Sequence, residues 1–163
     1  MSESSLRERK GEHPLGDAGQ LIFLALFLII WVGDSFFLHI STFPAMYLPL
    51  VIRLIIVGLA FIPSLYLYGS GHVVVSHEQR PERVIDTGAF RYVRHPLYLA
   101  AILFYLALTV STFSLFCLGL FVIIFFFYNY IAGYEEKLME AKFGEDFKSY
   151  KKRTGKWIPR IGK

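Results

Sequence analysis

The chain contains a stretch of forty residues, 95–134, without a single Asp, Glu, Lys or Arg. In water this stretch would expose a large apolar surface, whereas in lipid it is long enough for two helices, because one span needs about 20 residues. We therefore predict a membrane hairpin that returns the chain to the side from which it left. The polar residues on either side, Arg94 before the stretch and Glu135 and Glu136 after it, would then meet at one membrane face.

The composition supports a membrane protein. With 55% hydrophobic, 17% aromatic and 18% charged residues, the chain is too apolar for an ordinary soluble domain, and we expect residues 1–163 to form a single membrane domain. The net charge of +4 comes from basic residues beside apolar spans, so it indicates contact with lipid headgroups rather than with nucleic acid. The one cysteine, Cys117, lies in an apolar run and is expected to pack as a small hydrophobe. The sequence shows no metal-binding cluster.

The apolar runs predict an all-α, multi-pass protein with about four transmembrane helices. The third run is short and is expected to begin earlier, within the Arg94–Tyr98 segment. Residues 31–34 after the first run give a poor cleavage site, which indicates a retained helix rather than a signal peptide. The predicted spans are Ala18–Ile40, Met46–Tyr68, Leu97–Val110 and Leu115–Tyr134.

The basic residues lie on alternate loops. Three Lys/Arg precede the first span, four lie between the second and third spans, and nine follow the fourth, while the loops 41–45 and 111–114 carry none. Cytoplasmic loops are enriched in Lys and Arg, so we expect both termini, including the segment 1–17, and the central loop to be cytoplasmic.

Several residues interrupt the apolar pattern of the first two spans. Asp34 and Arg53 lie toward the same, non-cytoplasmic side and are predicted to form a structural ion pair. Pro63 removes one helical hydrogen bond from the second span and predicts a kink. Gly69 and Gly71 close that span and leave room for a ligand to approach the backbone, although glycine is also common where a helix ends.

The C-terminal tail shows a helical pattern. Four apolar residues recur at helical spacing among charged ones, which predicts an amphipathic helix on the membrane surface, and Gly144 is its weak point. Trp157 lies among basic residues and resembles an interfacial anchor. The tail either attaches the chain to the membrane or covers a pocket over the glutamate pair. The apolar positions are Met139, Phe143, Phe147 and Tyr150.

The polar residues at the two ends of the uncharged stretch are suited to bind a zwitterion. Because His95 precedes Pro96, it is expected to be extended, directly before a helix whose first turn carries Tyr98. These donors suit a carboxylate, and a glutamate at the end of the fourth span suits an ammonium. Adjacent helical residues point about 100° apart, so we favour Glu135 as the pocket residue and expect Glu136 to face solvent or a basic neighbour.

Two motifs carry a family resemblance. The motif GAFRYVRHPLY (Gly88–Tyr98), the apolar hairpin and EEKLMEAKFGEDFKSYKKRTGKWIPR (Glu135–Arg160) together resemble the C-terminal signature of the isoprenylcysteine carboxyl methyltransferase and phospholipid methyltransferase superfamily of integral membrane enzymes. The resemblance covers residues 81–160. It implies an S-adenosylmethionine-dependent methyltransferase that binds its cofactor at the cytoplasmic face and takes a lipophilic acceptor, a lipid, amine, thiol or prenylcysteine-like molecule, from the bilayer. It implies no obligatory protein partner.

The resemblance also implies site residues. Phe90 stands where the family usually has tyrosine, and Glu82 stands where a histidine often precedes the Val-Ile pair. No catalytic residue is assigned; if the acceptor must lose a proton, His95 and Glu136 are unranked candidates for the base. The expected cofactor-binding residues are Val84, Ile85, Phe90, His95, Pro96, Leu97, Tyr98 and Glu135.

The residues expected to bind the methyl acceptor differ from those of the prenylcysteine enzymes. Ile131 occupies the position of their substrate-facing arginine, and the nearest polar residues are Tyr128 and Asn129. We therefore expect little carboxyl methylation of prenylcysteine and an acceptor that needs no carboxylate partner, with Tyr128, Asn129 and Ile131 as the substrate-binding candidates.

Two other functions fit parts of the pattern. One is a membrane partner protein without enzymatic activity. The other is an NADPH-dependent reductase, because membrane sterol reductases have a similar C-terminal region. Those enzymes have a much longer helical body, and four spans leave little room for a sterol cavity.

The charge distribution gives a first testable prediction. Reporter fusions placed at the C-terminus and after Arg83 should both be cytoplasmic, because Lys and Arg are retained on that side. A C-terminal reporter on the opposite side would require an odd number of spans and would separate the two polar clusters.

Overall fold

The computed structural model describes residues 16–77 and 83–160, and every regular element in these ranges is helical. Glu82 and nearly all of the predicted segment 1–17 lie outside the described residues. The long helices are α1 (Gly16–Val32), α2 (Leu50–His77), α3 (Pro96–Thr112) and α4 (Leu115–Phe143), followed by the short helix α5 (Glu145–Arg153).

The predicted all-α membrane architecture is confirmed. Within the described part of the chain, Gly16–Leu38, Leu50–Val74 and Leu115–Phe143 are long and apolar enough to cross a membrane, and Pro96–Thr112 is a shorter apolar helix. The protein is therefore an integral membrane protein. The third span begins at Pro96, as expected. The fourth helix continues well past its predicted end and carries the glutamate pair with it, since Glu, Lys, Leu and Met are all good helix formers.

The α3–α4 hairpin is the centre of the molecule. α2 packs along α3, while α1 packs against the hairpin from the other side. Gly19 allows the close approach of α1 to α4, because a Cβ at this position would lie 2.3 Å from the ring of Phe127. The main core lies between α1, α3 and α4 and consists of Phe27, Ile102, Tyr105, Cys117, Leu120, Ile124 and Tyr128.

The contact between α2 and α3 is tight around small residues. Ser64 Oγ donates a hydrogen bond to the carbonyl of Ala100 at 2.7 Å. The neighbouring Pro63 lies inside the continuous helix α2. Gly69 and Gly71 do not end the helix as predicted, because α2 continues to His77. A Cβ on Gly71 would be only 3.0 Å from Leu97, so this glycine admits a side chain of α3.

The end of the bundle where α1 meets the start of α4 is held by Asp34, and the predicted Asp34–Arg53 ion pair is wrong. The Asp34 carboxylate accepts hydrogen bonds from the Ser41 amide (3.0 Å), the Ser41 hydroxyl (2.5 Å) and the Ser114 hydroxyl (2.6 Å). Arg53 instead donates to the carbonyl of Ser111 at 3.1 Å. The π-helical turn Gly33–Leu38 extends α1 and contains the carboxylate that meets both loops.

Ser41 and Ser114 also accept hydrogen bonds from the first backbone amides of α4. The first amides of a helix have no partner within it, and a bilayer offers them none. The Leu115 amide donates to the Ser41 carbonyl (3.2 Å), the Phe116 amide to the Ser41 hydroxyl (3.2 Å) and the Cys117 amide to the Ser114 hydroxyl (3.2 Å). We call Asp34, Ser41 and Ser114 the polar clasp.

The polar clasp predicts an unequal loss of stability. Asp34→Ala removes the acceptor of three hydrogen bonds from Ser41 and Ser114, whose hydroxyls can then bond only to each other (3.1 Å), and should lower the free energy of unfolding by about 3 kcal/mol. Ser35→Ala is the matched control, because it removes one hydroxyl bond to Thr112 at the same end (2.8 Å) and should cost about 1 kcal/mol. Thermal unfolding in detergent measures both. Equal shifts would show that the clasp contributes no more than one hydroxyl pair.

Candidate functional site

A short turn places the basic motif beside α2. Residues Gly88–Arg91 form one turn of 3-10 helix, and Gly88 has a φ of +56°, which favours glycine. The Ala89 amide donates to the Ser70 hydroxyl of α2 at 3.0 Å. On the other side, the Tyr150 hydroxyl of α5 donates to the Phe90 carbonyl at 2.6 Å. The turn is therefore held between α2 and α5, and it directs the chain into α3.

The start of α3 and the end of α4 bring the two polar segments together. His95 directly precedes Pro96, the first residue of α3, and is not helical (φ −125°, ψ 66°), but its ψ falls short of the extended conformation that the sequence predicts. Tyr98 lies in the first turn. The Tyr98 hydroxyl donates to Glu135 Oε1 at 2.5 Å, and His95 Nδ1 lies 3.7 Å from Glu135 Oε2. Three of the predicted cofactor-binding residues thus meet at one point.

Glu136 has different partners from its neighbour. Arg94 Nε donates to Glu136 Oε1 at 2.9 Å, His95 Nε2 lies 3.3 Å from the same oxygen, and Lys151 Nζ lies 3.6 Å from Oε2. Glu136 is 8% exposed. Of the two orientations predicted for Glu136, the structure therefore has the one toward basic neighbours and not the one toward solvent.

His95 lies between the two carboxylates. Burial lowers the pKa of His95, and this effect outweighs the raising effect of Glu136, so the imidazole is neutral at neutral pH. A neutral imidazole carries one N–H. The tautomer with this proton on Nε2 can donate to Glu136 Oε1 at 3.3 Å, and in that tautomer the lone pair of Nδ1 is on the side of Glu135.

The C-terminal strap, which we define as residues 154–158, crosses over this cluster. The Arg94 amide donates to the Gly155 carbonyl at 2.9 Å. The Arg94 guanidinium also donates to the carbonyls of Thr154 and Lys151. A Cβ on Gly155 would lie 1.8 Å from the Ile158 carbonyl oxygen, so only glycine fits this bend. Arg94 therefore joins the strap to Glu136 and is committed to protein partners.

The strap then runs along α4. Lys156 Nζ donates to both oxygens of Asn129, and Trp157 Nε1 donates to Asn129 Oδ1 at 3.3 Å. The Trp157 ring lies 5.9 Å from the ring of His95 and 6.3 Å from that of Phe125. Trp157, which the sequence indicates as an interfacial anchor, thus packs on the site. Gly144, with a φ of +55°, separates α4 from α5 and makes this return possible.

The acceptor candidates differ in accessibility. Tyr128 is 2% exposed, and its ring lies 5.3 Å from that of Tyr98. Ile131 is fully buried, so an arginine at this position would bring a charge into the bundle interior. Asn129 is exposed, but the strap occupies its side-chain oxygen.

The remaining predicted cofactor residues lie nearer to α2 and α5. Val84 and Ile85 are half-buried in the segment before the turn, and Pro96 is buried at the start of α3. Leu97 lies against Gly71, and Phe90 is fixed through its carbonyl. Their order along the chain follows the family pattern, but these contacts do not join them to Glu135.

An open cleft of about 500 Å³ lies next to the cluster, between the turn and α5. None of the predicted cofactor-binding residues lines it. Arg153 Nη2 lies 3.5 Å from Asp86 Oδ2 across its rim. The lining residues are Asp86, Thr87, Gly88, Arg91, Tyr150, Arg153 and Thr154.

The sequence leaves open whether the tail only attaches the chain to the membrane or also covers the glutamate pair, and it reveals no partners for the tail residues. The structure brings Arg94, Lys151, Lys156 and Trp157 to the glutamate pair or to Asn129. The useful signal was Gly155, a glycine between Arg153 and Lys156 that ends the amphipathic pattern and allows a tight bend.

The two glutamates should respond differently to neutralisation. Glu136→Gln weakens the bonds to Arg94 and should lower the free energy of unfolding by about 2 kcal/mol and expose the strap to trypsin. Glu140→Gln is the control, since its pair with Lys151 (3.1 Å) is partly exposed and should contribute no more than about 0.5 kcal/mol. If both variants keep a trypsin-resistant strap, Glu136 does not hold it.

The comparisons with known proteins agree with the geometry. The family model described as phospholipid methyltransferase matches residues 48–146. The match contains both halves of the polar cluster, from the start of α2 to the beginning of α5. The chain matches none of the curated proteins and none of the solved structures with which it was compared. Because the matched range is more than half of the chain, this protein belongs to the phospholipid methyltransferase family.

Proposed function

We propose that the protein is an S-adenosylmethionine-dependent methyltransferase that acts on a lipophilic acceptor from the bilayer. The observation that carries the proposal is the direct contact between Tyr98 at the start of α3 and Glu135 near the end of α4. This contact joins the two polar ends of an apolar hairpin in a chain of the phospholipid methyltransferase family.

The residues of the cluster fit the charges of this cofactor. Its amino-acid part carries an ammonium, for which Glu135 offers a carboxylate whose nearest partner is the neutral hydroxyl of Tyr98. The rings of His95 and Tyr98 are parallel, with their centres 5.7 Å apart, and offer apolar faces to a flat base. Arg94 is not part of this set, because its donors are already bound to the protein. Glu135 is therefore the residue that we expect to matter most for the donor.

The cluster also suits the chemistry. When bound, S-adenosylmethionine supplies an electrophilic methyl group carried on a sulfonium. The protein must then align the acceptor and exclude water, and the strap covers the cluster on one side. For an acceptor that must lose a proton, His95 is a better base than Glu136, because its Nδ1 has a free lone pair while Glu136 is bound to Arg94.

The proposal includes an orientation. We place both termini and the turn at Gly88–Arg91 in the cytoplasm, where S-adenosylmethionine is made. The basic residues of α5 would then face the headgroups of the inner leaflet. The polar clasp would lie at the opposite face.

Saturation binding to the detergent-purified chain tests the proposal. We expect S-adenosylmethionine to bind saturably at a stoichiometry of one and NADPH not to bind. Saturable binding of NADPH alone would favour the reductase, and binding of neither would favour a non-enzymatic membrane protein.

Glu135→Gln tests the assignment of the donor site. The substitution keeps the shape and removes the charge, so the affinity for S-adenosylmethionine should fall about 10-fold to 150-fold, the value of one charged hydrogen bond. Glu136→Gln should have a much smaller effect on this affinity, once the stability of the variant has been checked. The reverse order would show that the ammonium binds at Glu136.

A further inference from the structure

Two aromatic rings lie against the imidazole of His95. The ring of Tyr98 is parallel to it, with the ring centres 5.7 Å apart, and the ring of Trp157 is tilted by 46° with its centre at 5.9 Å. The His95 side chain is only 11% exposed. Tyr98 is a near neighbour on α3, whereas Trp157 comes from the strap. The tail of the chain therefore supplies part of the wall around His95.

Asn129 of α4 fixes the position of the Trp157 ring. Trp157 Nε1 donates to Asn129 Oδ1 at 3.3 Å. The neighbouring Lys156 Nζ donates to the same oxygen at 2.9 Å and to the Asn129 carbonyl at 3.0 Å. The indole ring also packs toward Phe125, one helical turn earlier on α4, with the ring centres 6.3 Å apart. The side chain of Asn129 is thus used to hold the strap.

The contacts of His95 leave one edge of its ring open. Nε2 lies within hydrogen-bond distance of Glu136 Oε1, and the rings of Tyr98 and Trp157 lie against the imidazole. Nδ1 forms no hydrogen bond within the described part of the chain, because its nearest carboxylate oxygen, Glu135 Oε2, is 3.7 Å away. The open edge therefore faces the carboxylate to which the proposed function assigns the ammonium of the donor.

We propose that Trp157 is a positioning residue of this site. Its indole covers the imidazole of His95, so that only the edge with Nδ1 stays open toward Glu135, and Asn129 holds the indole in this place. The proposal rests on the proposed function for the role of Glu135. The cover over His95 depends only on the contacts of the strap.

The protonation of His95 reports on this cover. Burial has the largest effect on the pKa of His95 and lowers it from the ordinary value of 6.5, Glu136 raises it, and Lys156 and Arg94 lower it. Without the indole, water reaches the ring and the effect of burial becomes smaller, so the pKa should rise. A protonated His95 would repel an ammonium bound at Glu135. The charged and titratable groups around His95 are Arg94, Tyr98, Glu135, Glu136 and Lys156.

An NMR titration of the full chain with isotope-labelled histidine, in a neutral detergent, tests the cover. His95→Gln identifies the His95 signal among the five histidines. We expect Trp157→Ala to raise the pKa of His95 toward 6.5. Trp157→Phe restores a ring and should return the pKa toward the wild-type value. Asn129→Leu should raise the pKa less than Trp157→Ala does, because the indole keeps its contact with Phe125.

Trp31→Phe is the matched control. It also removes one indole hydrogen bond, from Trp31 Nε1 to the Leu108 carbonyl at 3.0 Å, but far from His95. It should lower the melting temperature and leave the pKa of His95 unchanged. An unchanged pKa in Trp157→Ala would overturn the proposal. An equal rise in Trp31→Phe would also overturn it, since any loss of stability would then expose the site.

The pH dependence of donor binding is the second measurement. In Trp157→Ala the affinity for S-adenosylmethionine should fall about fivefold from about pH 7 to about pH 5.5, the value of one partly exposed charge interaction. The wild type, whose His95 stays neutral to lower pH, should change by less than about twofold. Equal pH dependence in the two proteins would overturn the role of Trp157 toward Glu135.

The two measurements keep the two proposals apart. If the pKa of His95 responds to Trp157 but the wild type does not bind S-adenosylmethionine, the cover over His95 stands and the methyltransferase proposal fails. If S-adenosylmethionine binds and the pKa does not respond, the donor site stands and the positioning role of Trp157 fails.

Discussion

A polar group inside a bilayer must find its partner within the protein, because lipid offers none. A polar cluster at each end of this bundle meets that condition, although the buried Nε of Arg53 near the first end has no partner. At one end Asp34 and two serines bind one another and the first amides of α4. At the other end Arg94 binds Glu136 and two carbonyls of the tail. Between these ends the helices need only pack, and nearly all the chemistry of the chain is concentrated at the second end.

At that end, two adjacent glutamates of α4 have different partners because of the geometry of the helix. Successive side chains point about 100° apart, so Glu136 reaches Arg94 and His95 while Glu135 reaches Tyr98. The first glutamate therefore has a neutral hydroxyl as its close partner and the second has a guanidinium. The rotation of the helix alone therefore gives the two adjacent carboxylates different hydrogen-bond donors.

Much of this could be predicted from the sequence, because it depends on near neighbours. The hairpin follows from the uncharged stretch, and the start of α3 directly after His95 follows from Pro96. The contact between Arg94 and the tail could not be predicted, since Gly155 is distant in sequence and its bond uses a backbone carbonyl that no residue type reveals. The predicted Asp34–Arg53 ion pair is wrong for a related reason. Two opposite charges near the same end suggest an ion pair, but the Asp34 carboxylate instead accepts hydrogen bonds from the hydroxyls of two serines and from the amide of one of them.

The central position of the α3–α4 hairpin has a consequence for how the protein is made. α1 finds its contacts on the hairpin, as when Trp31 Nε1 bonds to the Leu108 carbonyl at 3.0 Å, and α2 finds its own on α3. Because a membrane chain is inserted from its N-terminus onward, α1 enters the lipid long before these partners are synthesised. Until then its Asp34 has no serine of α4 to bind. The hydrogen bonds of Asp34 are therefore completed only when the last helix has been inserted.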